Sequence, residues 1–402
     1  MAITALILTY QPTGGIAVSG LVLASAVPLV VLAPLVGRLA DRVDSRRLLV
    51  IAGIGQAGTG LALALAGDVT TALALVAALG IGQAVTNPTL AALVPAMVVR
   101  EDLARATAIS QTASMAGMLA GPAVAGVLVG AYGARLPLLI NAVAMLAFTL
   151  GGLLIRTRRG GSRVAEEPEP TSGSPVLPGT SLLWRDPLLR TMIVSLAAVV
   201  AAVSAMNVVD VFLVRDALQA SAATYGALEA IWMAGMLSGT WVLARVARRA
   251  GDDGTLVYGI LALLAVMCAT LPVAAGVEAA AWLIPLWIVG GMGNGGVNVL
   301  ANMLVAHRTA EQSRGSAYAM VGAAAHGASL VGYAAGGPLV DLLPIRPLVA
   351  GIGVMGLAVV AVLVAPVVRA VRSERGAERN TADVSENDVE IVDGGSAQPE
   401  TH

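Results

Sequence analysis

The chain has 402 residues, of which 57% are apolar and 12% charged, with a net charge of −1. A soluble domain carries about twice that share of charge, so a water-soluble enzyme or binding module is a poor fit. The near-zero net charge gives no field that would draw nucleic acid, and one cysteine, Cys268, excludes an internal disulfide.

In chain order, Met1–Tyr10 is apolar but covers only about half of a bilayer core at ~1.5 Å per residue. No basic stretch precedes it and no typical cleavage site follows, so no cleavable signal is expected. Gln11-Pro-Thr-Gly-Gly15 ends it. Apolar stretches then recur at about 16–36, 48–66, 71–95, 106–130, 136–155, 190–213, 223–245, 255–275, 280–304, 315–340 and 347–368. Each is near the ~20 residues that cross a bilayer as a helix. The expectation is an all-α membrane protein with eleven complete spans, a partial first helix and the lipid bilayer as its surroundings.

Between the first two spans lies Gly37-Arg-Leu-Ala-Asp41-Arg42-Val-Asp44-Ser-Arg46-Arg47. Four arginines and two aspartates this close to two spans must sit at a membrane surface. The segment resembles the loop between the second and third helices of major facilitator superfamily transporters, Gly-x-x-x-Asp-Arg/Lys-x-Gly-x-Arg/Lys-Arg/Lys. Gly37, Asp41, Arg42, Arg46 and Arg47 match, and Asp44 replaces the family's second glycine. The resemblance covers Gln11 to Val368. It implies two pseudo-symmetric six-helix halves, rocker-switch alternating access, and a loop that latches one face of the molecule. It also implies twelve helices, so the first is expected to be truncated.

All 24 basic residues are arginine, and 21 of them fall on one side; only Arg135, Arg215 and Arg346 fall on the other. By the positive-inside rule, the 37–47 loop and the C-terminus are cytoplasmic. Eleven spans would leave Met1 outside, and a twelfth upstream would bring the N-terminus inside. The segments divide into an N-terminal half (1–155), a cytoplasmic linker rich in Arg, Gly, Pro, Ser and Glu (156–189), a C-terminal half (190–368) and an acidic tail expected to be disordered (369–402).

The halves repeat. Gly80-Ile-Gly82-Gln83-Ala-Val-Thr-Asn87 returns as Gly291-Met-Gly293-Asn294-Gly-Gly-Val-Asn298, and Arg105-Ala-Thr-Ala108 as Arg314-Gly-Ser-Ala317, at offsets of 211 and 209. Gly291-x-Gly293-x-x-Gly296 also fits a dinucleotide fingerprint, but that motif needs a strand and a βαβ unit around it. Inside a membrane-length apolar run, glycines that let helices approach closely are the better explanation. No catalytic constellation, cofactor motif or metal-ligand spacing is present; His307, His326 and His402 stand apart. An enzyme is not expected, and neither is a cofactor.

The span at 106–130 holds Gly117-x-x-x-Gly121-Pro122-x-x-x-Gly126. Small residues at this spacing make a flat seam for a neighbouring helix, and Pro122 permits a bend. The motif resembles the fifth-helix signature of facilitator-family exporters, with Ala125 in place of one glycine, and the resemblance implies antiport. The overall likeness is to bacterial efflux members of the enterobactin- and macrolide-exporter type.

Polar groups inside spans are costly and therefore point to function. Two acids qualify, Asp210 and Glu229, with Asn207 on the same face as Asp210. A carboxyl in a low-dielectric span can exchange a proton or bind a cation, unless it is paired, as Asp210 would be with Arg215. Gln83 and Asn87, their counterparts Asn294 and Asn298 with Asn302, and also Gln111 and Asn141, form neutral stripes that either face a substrate cavity or bond across helices. Trp232, Met233 and Met236 would form an adaptable apolar wall or ordinary packing. Family proton exporters often carry a membrane-embedded arginine in the fourth helix; 71–95 has none, so coupling would fall to Asp210 and Glu229.

The expected function is proton-coupled efflux of small amphipathic molecules of drug, antibiotic or siderophore type. The expected setting is the bacterial cytoplasmic membrane and the expected state a monomer. Two alternatives stay open: an uptake carrier for a nutrient, and a degenerate member that does not transport.

Overall fold

The structure is a computed structural model that describes residues 1–32, 35–36, 43–99, 102–154, 186–247, 252–309 and 313–394. Among these residues the chain is nearly all helix, with no strand. The elements are α1 (Ala2–Tyr10), α2 (Gly15–Val31), α3 (Ser45–Leu65), α4 (Val69–Met97), α5 (Leu103–Tyr132), α6 (Arg135–Leu154), α7 (Pro187–Val203), α8 (Met206–Phe212), α9 (Ala222–Ala247), α10 (Asp253–Gly276), α11 (Leu283–Arg308), α12 (Arg314–Leu342) and α13 (Ile345–Gly394). Helices thus form at each apolar stretch. Nine spans among the described residues are long and apolar enough to cross a membrane.

Local chemistry sets the helix starts. Asp44, Asp68, Asp186 and Asp252 each accept a backbone N–H from the first turn of α3, α4, α7 and α10. Asp44, which replaces the resembled family's glycine, is therefore a helix cap, with its Oδ1 2.9 Å from the Arg46 amide. Arg308 at the end of α11 ties two of these starts together. Its Nε lies 2.8 Å from Asp253 and its Nη1 3.0 Å from Asp186, with His307 2.9 Å from Asp253.

Two differences from the sequence expectation stand out. The stretch at 190–213 is not one helix: it breaks at Ser204–Ala205, resumes as α8 and ends in a π turn at Leu213–Ala217. The Asn207 amide donates to the Ser204 carbonyl, a local bond that competes with the helical ladder at the break. The acidic tail was expected to be disordered, yet α13 continues as helix to Gly394. Glu374, Arg375, Ala377, Glu378 and Arg379 are good helix formers.

The internal repeat is visible as packing. Gly80 of α4 seats against Ser25 and Pro28 of α2, and Gly82 against Gln56 of α3. In the second half, Gly291 of α11 seats against Trp232 and Met236 of α9, and Gly293 against Met267 of α10. The repeated glycines thus make equivalent helix crossings in both halves. Lipid removes most of the hydrophobic drive between helices, and close packing at small residues replaces it.

The halves meet through two matched helix pairs, α2 with α12 and α5 with α9. Each has a glycine–glycine crossing: a Cβ on Gly337 would lie 2.7 Å from the Gly15 carbonyl oxygen, and one on Gly126 3.0 Å from the Gly226 Cα. Both crossings lie at the start of α2 and α9 and the end of α5 and α12, the end away from the start of α3. There a buried cluster joins Ile7, Leu8 and Val18 of the first half to Val208, Phe212, Leu213 and Leu348 of the second. The Ser19 hydroxyl donates to the Tyr333 carbonyl, and Gln11 Nε2 lies 2.7 Å from Asp216 Oδ1.

Candidate functional site

The break after α7 turns α8 so that Asp210 faces α9. Glycines of α12 allow this: a Cβ on Gly332 would lie 2.6 Å from the Ser204 Cβ, and one on Gly336 2.9 Å from the Val208 Cβ. α12 therefore packs backbone-close against the break and against α8. Discontinuous helices of this kind line ion and substrate sites in membrane carriers.

Asp210 is 9% exposed, and its carboxyl neighbours that of Glu229 on α9. Asp210 Oδ1 also accepts the Val211 amide at 2.7 Å. Arg215 does not neutralise it: that guanidinium turns back to the Ala220 carbonyl at 2.7 Å. Two ionised carboxylates offer no donor to each other. They would also repel by roughly 4 kcal/mol at 4 Å with an effective dielectric of about 20. One shared proton would supply the missing donor and remove the repulsion. Tyr225, one turn before Glu229 and only 4% exposed, stands beside both acids.

The pair opens onto a cavity of about 120 Å³ lined by Val203, Met206, Asn207, Asp210, Glu229, Trp232, Met233, Met267, Thr270, Leu271 and Trp287. Trp232 and Trp287 form an edge-to-face pair with ring centroids 6.5 Å apart and planes at 75°. The wall is thus aromatic and thioether on most sides, with the carboxyl pair on one.

Of the residues singled out in the sequence, Asp210, Glu229, Asn207, Trp232 and Met233 share this cavity. Gln83, Asn87, Gln111, Asn141, Asn294 and Asn298 lie outside it. Gln83, Asn87, Gln111 and Asn298 are exposed on their helices. Asn298 Nδ2 bonds back to Asn294, 2.9 Å from its carbonyl and 3.2 Å from its Oδ1. Met206, Met267, Thr270 and Trp287 were missed, because nothing in an apolar run marks which of its residues turns toward a cavity.

Gly37, Asp41 and Arg42 lie outside the described residues. Arg46 donates to the Leu153 carbonyl at the end of α6, and Arg47 is exposed. In the α5 motif, Pro122 and Gly126 meet Gly226, Gly121 faces Met1, and Gly117 faces open space.

The sequence matches the Major Facilitator Superfamily over residues 1–284 and 196–392. No curated protein sequence matches it significantly. Solved structures do. The nucleoside transporter NupG superposes with a TM-score of 0.71 at 14% identity, covering 92% of this chain and 94% of NupG. A bacterial homologue of the human lysosomal transporter Spinster, inward-facing and unoccupied, gives 0.69 at 13% identity, with 93% of each chain covered. A bacterial homologue of the iron transporter ferroportin, also inward-facing, gives 0.67 at 16% identity over 92% of this chain and 93% of that one. At such identities the likeness concerns the fold alone.

Proposed function

The chain belongs to the major facilitator superfamily and is a multi-pass membrane protein, and on that premise we propose that it is a secondary transporter that couples protons to the efflux of small amphipathic molecules. The meeting of Asp210 and Glu229 beside an aromatic and methionine-lined cavity carries this proposal. A proton shared by two acids in a low-dielectric site is exchangeable, and the adjoining apolar wall suits the body of an amphipathic cargo. The small-residue motif Gly117–Gly126 on α5 supports efflux through its likeness to the exporter signature.

With the arginine-rich side cytoplasmic, the paired glycine crossings close the outer end and the chain stands inward-facing, ready to load from the cytoplasm. Outward opening would separate α2 from α12 and α5 from α9. The Asp41–Arg42–Arg46–Arg47 loop would then latch the cytoplasmic side. The protein would act as a monomer in the bacterial cytoplasmic membrane, with its C-terminus inside.

Everted membrane vesicles with an acidified lumen test this. Amphipathic compounds that are cargo should collapse the pH gradient only in vesicles containing the protein. Collapse only in right-side-out vesicles would reverse the direction to uptake. Collapse in neither, across a broad compound panel, would overturn the transport proposal.

A further inference from the structure

We infer that the cavity beside Asp210 and Glu229 recognises the protonated amine of a small arylalkyl or alkyl amine through its N–H donors, and rejects a quaternary ammonium of equal charge. This rests on the proposal that the cavity is the cargo site.

The polarity of the wall points to such a group. Asn207 Nδ2 gives one of its two N–H groups to the Ser204 carbonyl, 3.2 Å away, and its Oδ1 is an acceptor. The Thr270 hydroxyl donates to the Met267 carbonyl at 2.7 Å, which leaves its lone pairs. With the carboxyl oxygens of Asp210 and Glu229, acceptors predominate among the polar groups of the wall, and the donors left are the second Asn207 N–H and the indole N–H groups. Among the described residues, no arginine, lysine or histidine lines the cavity. An anion or a carbonyl-rich cargo finds no charged partner there. An ammonium fits: it carries three donors and no acceptor.

Size and surface select the rest. A cavity of about 120 Å³ is close to the ~150 Å³ that accommodates benzene, so one ring or a short chain fits. Trp232 and Trp287 offer ring faces and edges, and Met206, Met233 and Met267 a polarisable lining. Both favour a cation with an apolar body. A trimethylated nitrogen has no N–H to offer the acceptors.

Charge balance ties binding to the proton. With one shared proton the pair carries a single negative charge. When the ammonium enters and that proton leaves to water, the pair carries two negative charges and the amine one positive, so the site keeps a net charge of −1. Entry of the ammonium with the proton retained would take the site from −1 to 0, whereas release of the proton holds it at −1. No covalent bond is made: the acid O–H bond breaks, the proton goes to solvent, and N–H···O contacts replace it.

The test uses the purified full-length chain and three probes: phenethylamine, its N,N,N-trimethyl analogue and phenethyl alcohol. Calorimetric titration in buffers of different ionisation heat reads affinity and protons released together. The expected result is saturable binding of phenethylamine with release of about one proton. Both analogues should bind at least about tenfold more weakly, the scale of one lost charge-assisted hydrogen bond. Glu229→Gln should abolish the proton release, and Asn207→Ala should weaken the amine alone. Equal binding of the trimethyl analogue, or amine binding without proton release, overturns the inference. If phenethylamine does not bind while the vesicles show transport of another compound that depends on Asp210 and Glu229, the amine assignment falls and the site proposal stands. If neither occurs, both fall.

Discussion

Asp341, at the end of α12 in the second half, caps the start of α2 in the first: its Oδ1 lies 2.7 Å from the Gly15 amide and its Oδ2 3.2 Å from the Ile16 amide. A carboxylate is the preferred partner of a helix N-terminus, where backbone donors are otherwise unmet. Gly14 enters the cap at φ +114°, a conformation that glycine adopts without strain. Because the cap spans both halves, it exists only while this end of the molecule is closed. Asp341→Ala should shift the population toward opening at this end by roughly fivefold, the equivalent of one cap worth ~1 kcal/mol. Asp341→Asn should retain most of the closure. Spin-label distances between α2 and α12 read this in a background where the buried Cys268 is silent. Unchanged distances in Asp341→Ala would show that the cap does not hold the closure.

The glycines of α5 are not equivalent. Gly126 touches Gly226 across the halves, whereas a Cβ on Gly117 meets nothing within 4 Å. Gly126→Val should lower thermal stability by about 1–3 kcal/mol, as overpacking does, and splay the α5–α9 crossing. Gly117→Ala should leave stability unchanged or raise it by up to ~1 kcal/mol through helix propensity. A thermal unfolding comparison in detergent decides, and equal losses in the two variants would contradict the packing described.

Asp68 caps α4 from outside the membrane-spanning segments. Hydrogen bonds from the Thr71 amide and hydroxyl, at 2.7 and 2.8 Å, hold its carboxyl below the usual carboxylate range. A depressed acid stabilises the fold above its unfolded value, near 3.8, and loses that contribution as pH falls through the folded value. Amide exchange in the first turn of α4 should therefore be faster in Asp68→Ala than in the wild type at neutral pH. The two should converge once pH falls well below 3.8. A difference that persists there would assign the effect to something other than the charged cap.

The sequence revealed where helices form and the repeat, because membrane length and glycine spacing are local properties, but neither the division of 190–213 nor the run of α13 to Gly394. It also marked Asp210 and Glu229, since a charge in an apolar run is conspicuous. That the two meet was not legible. They sit on helices joined by a π turn, and the break at Ser204–Ala205 has no glycine or proline to announce it. The amide stripes of Asn294 and Asn298 were legible as a helix face, but spacing fixes a face and not what the face meets. Trp287 and Met267 reach the cavity only through the packing of α11 and α10 on α9.

We propose that Asp210 and Glu229 together carry the coupling proton. The most direct test is gradient collapse in everted vesicles bearing the Asp210→Asn/Glu229→Gln double variant, at expression matched to the wild type. Compounds that dissipate the gradient through the wild-type protein should no longer do so. Undiminished collapse in the double variant would contradict the proposal and place the coupling proton elsewhere in the chain.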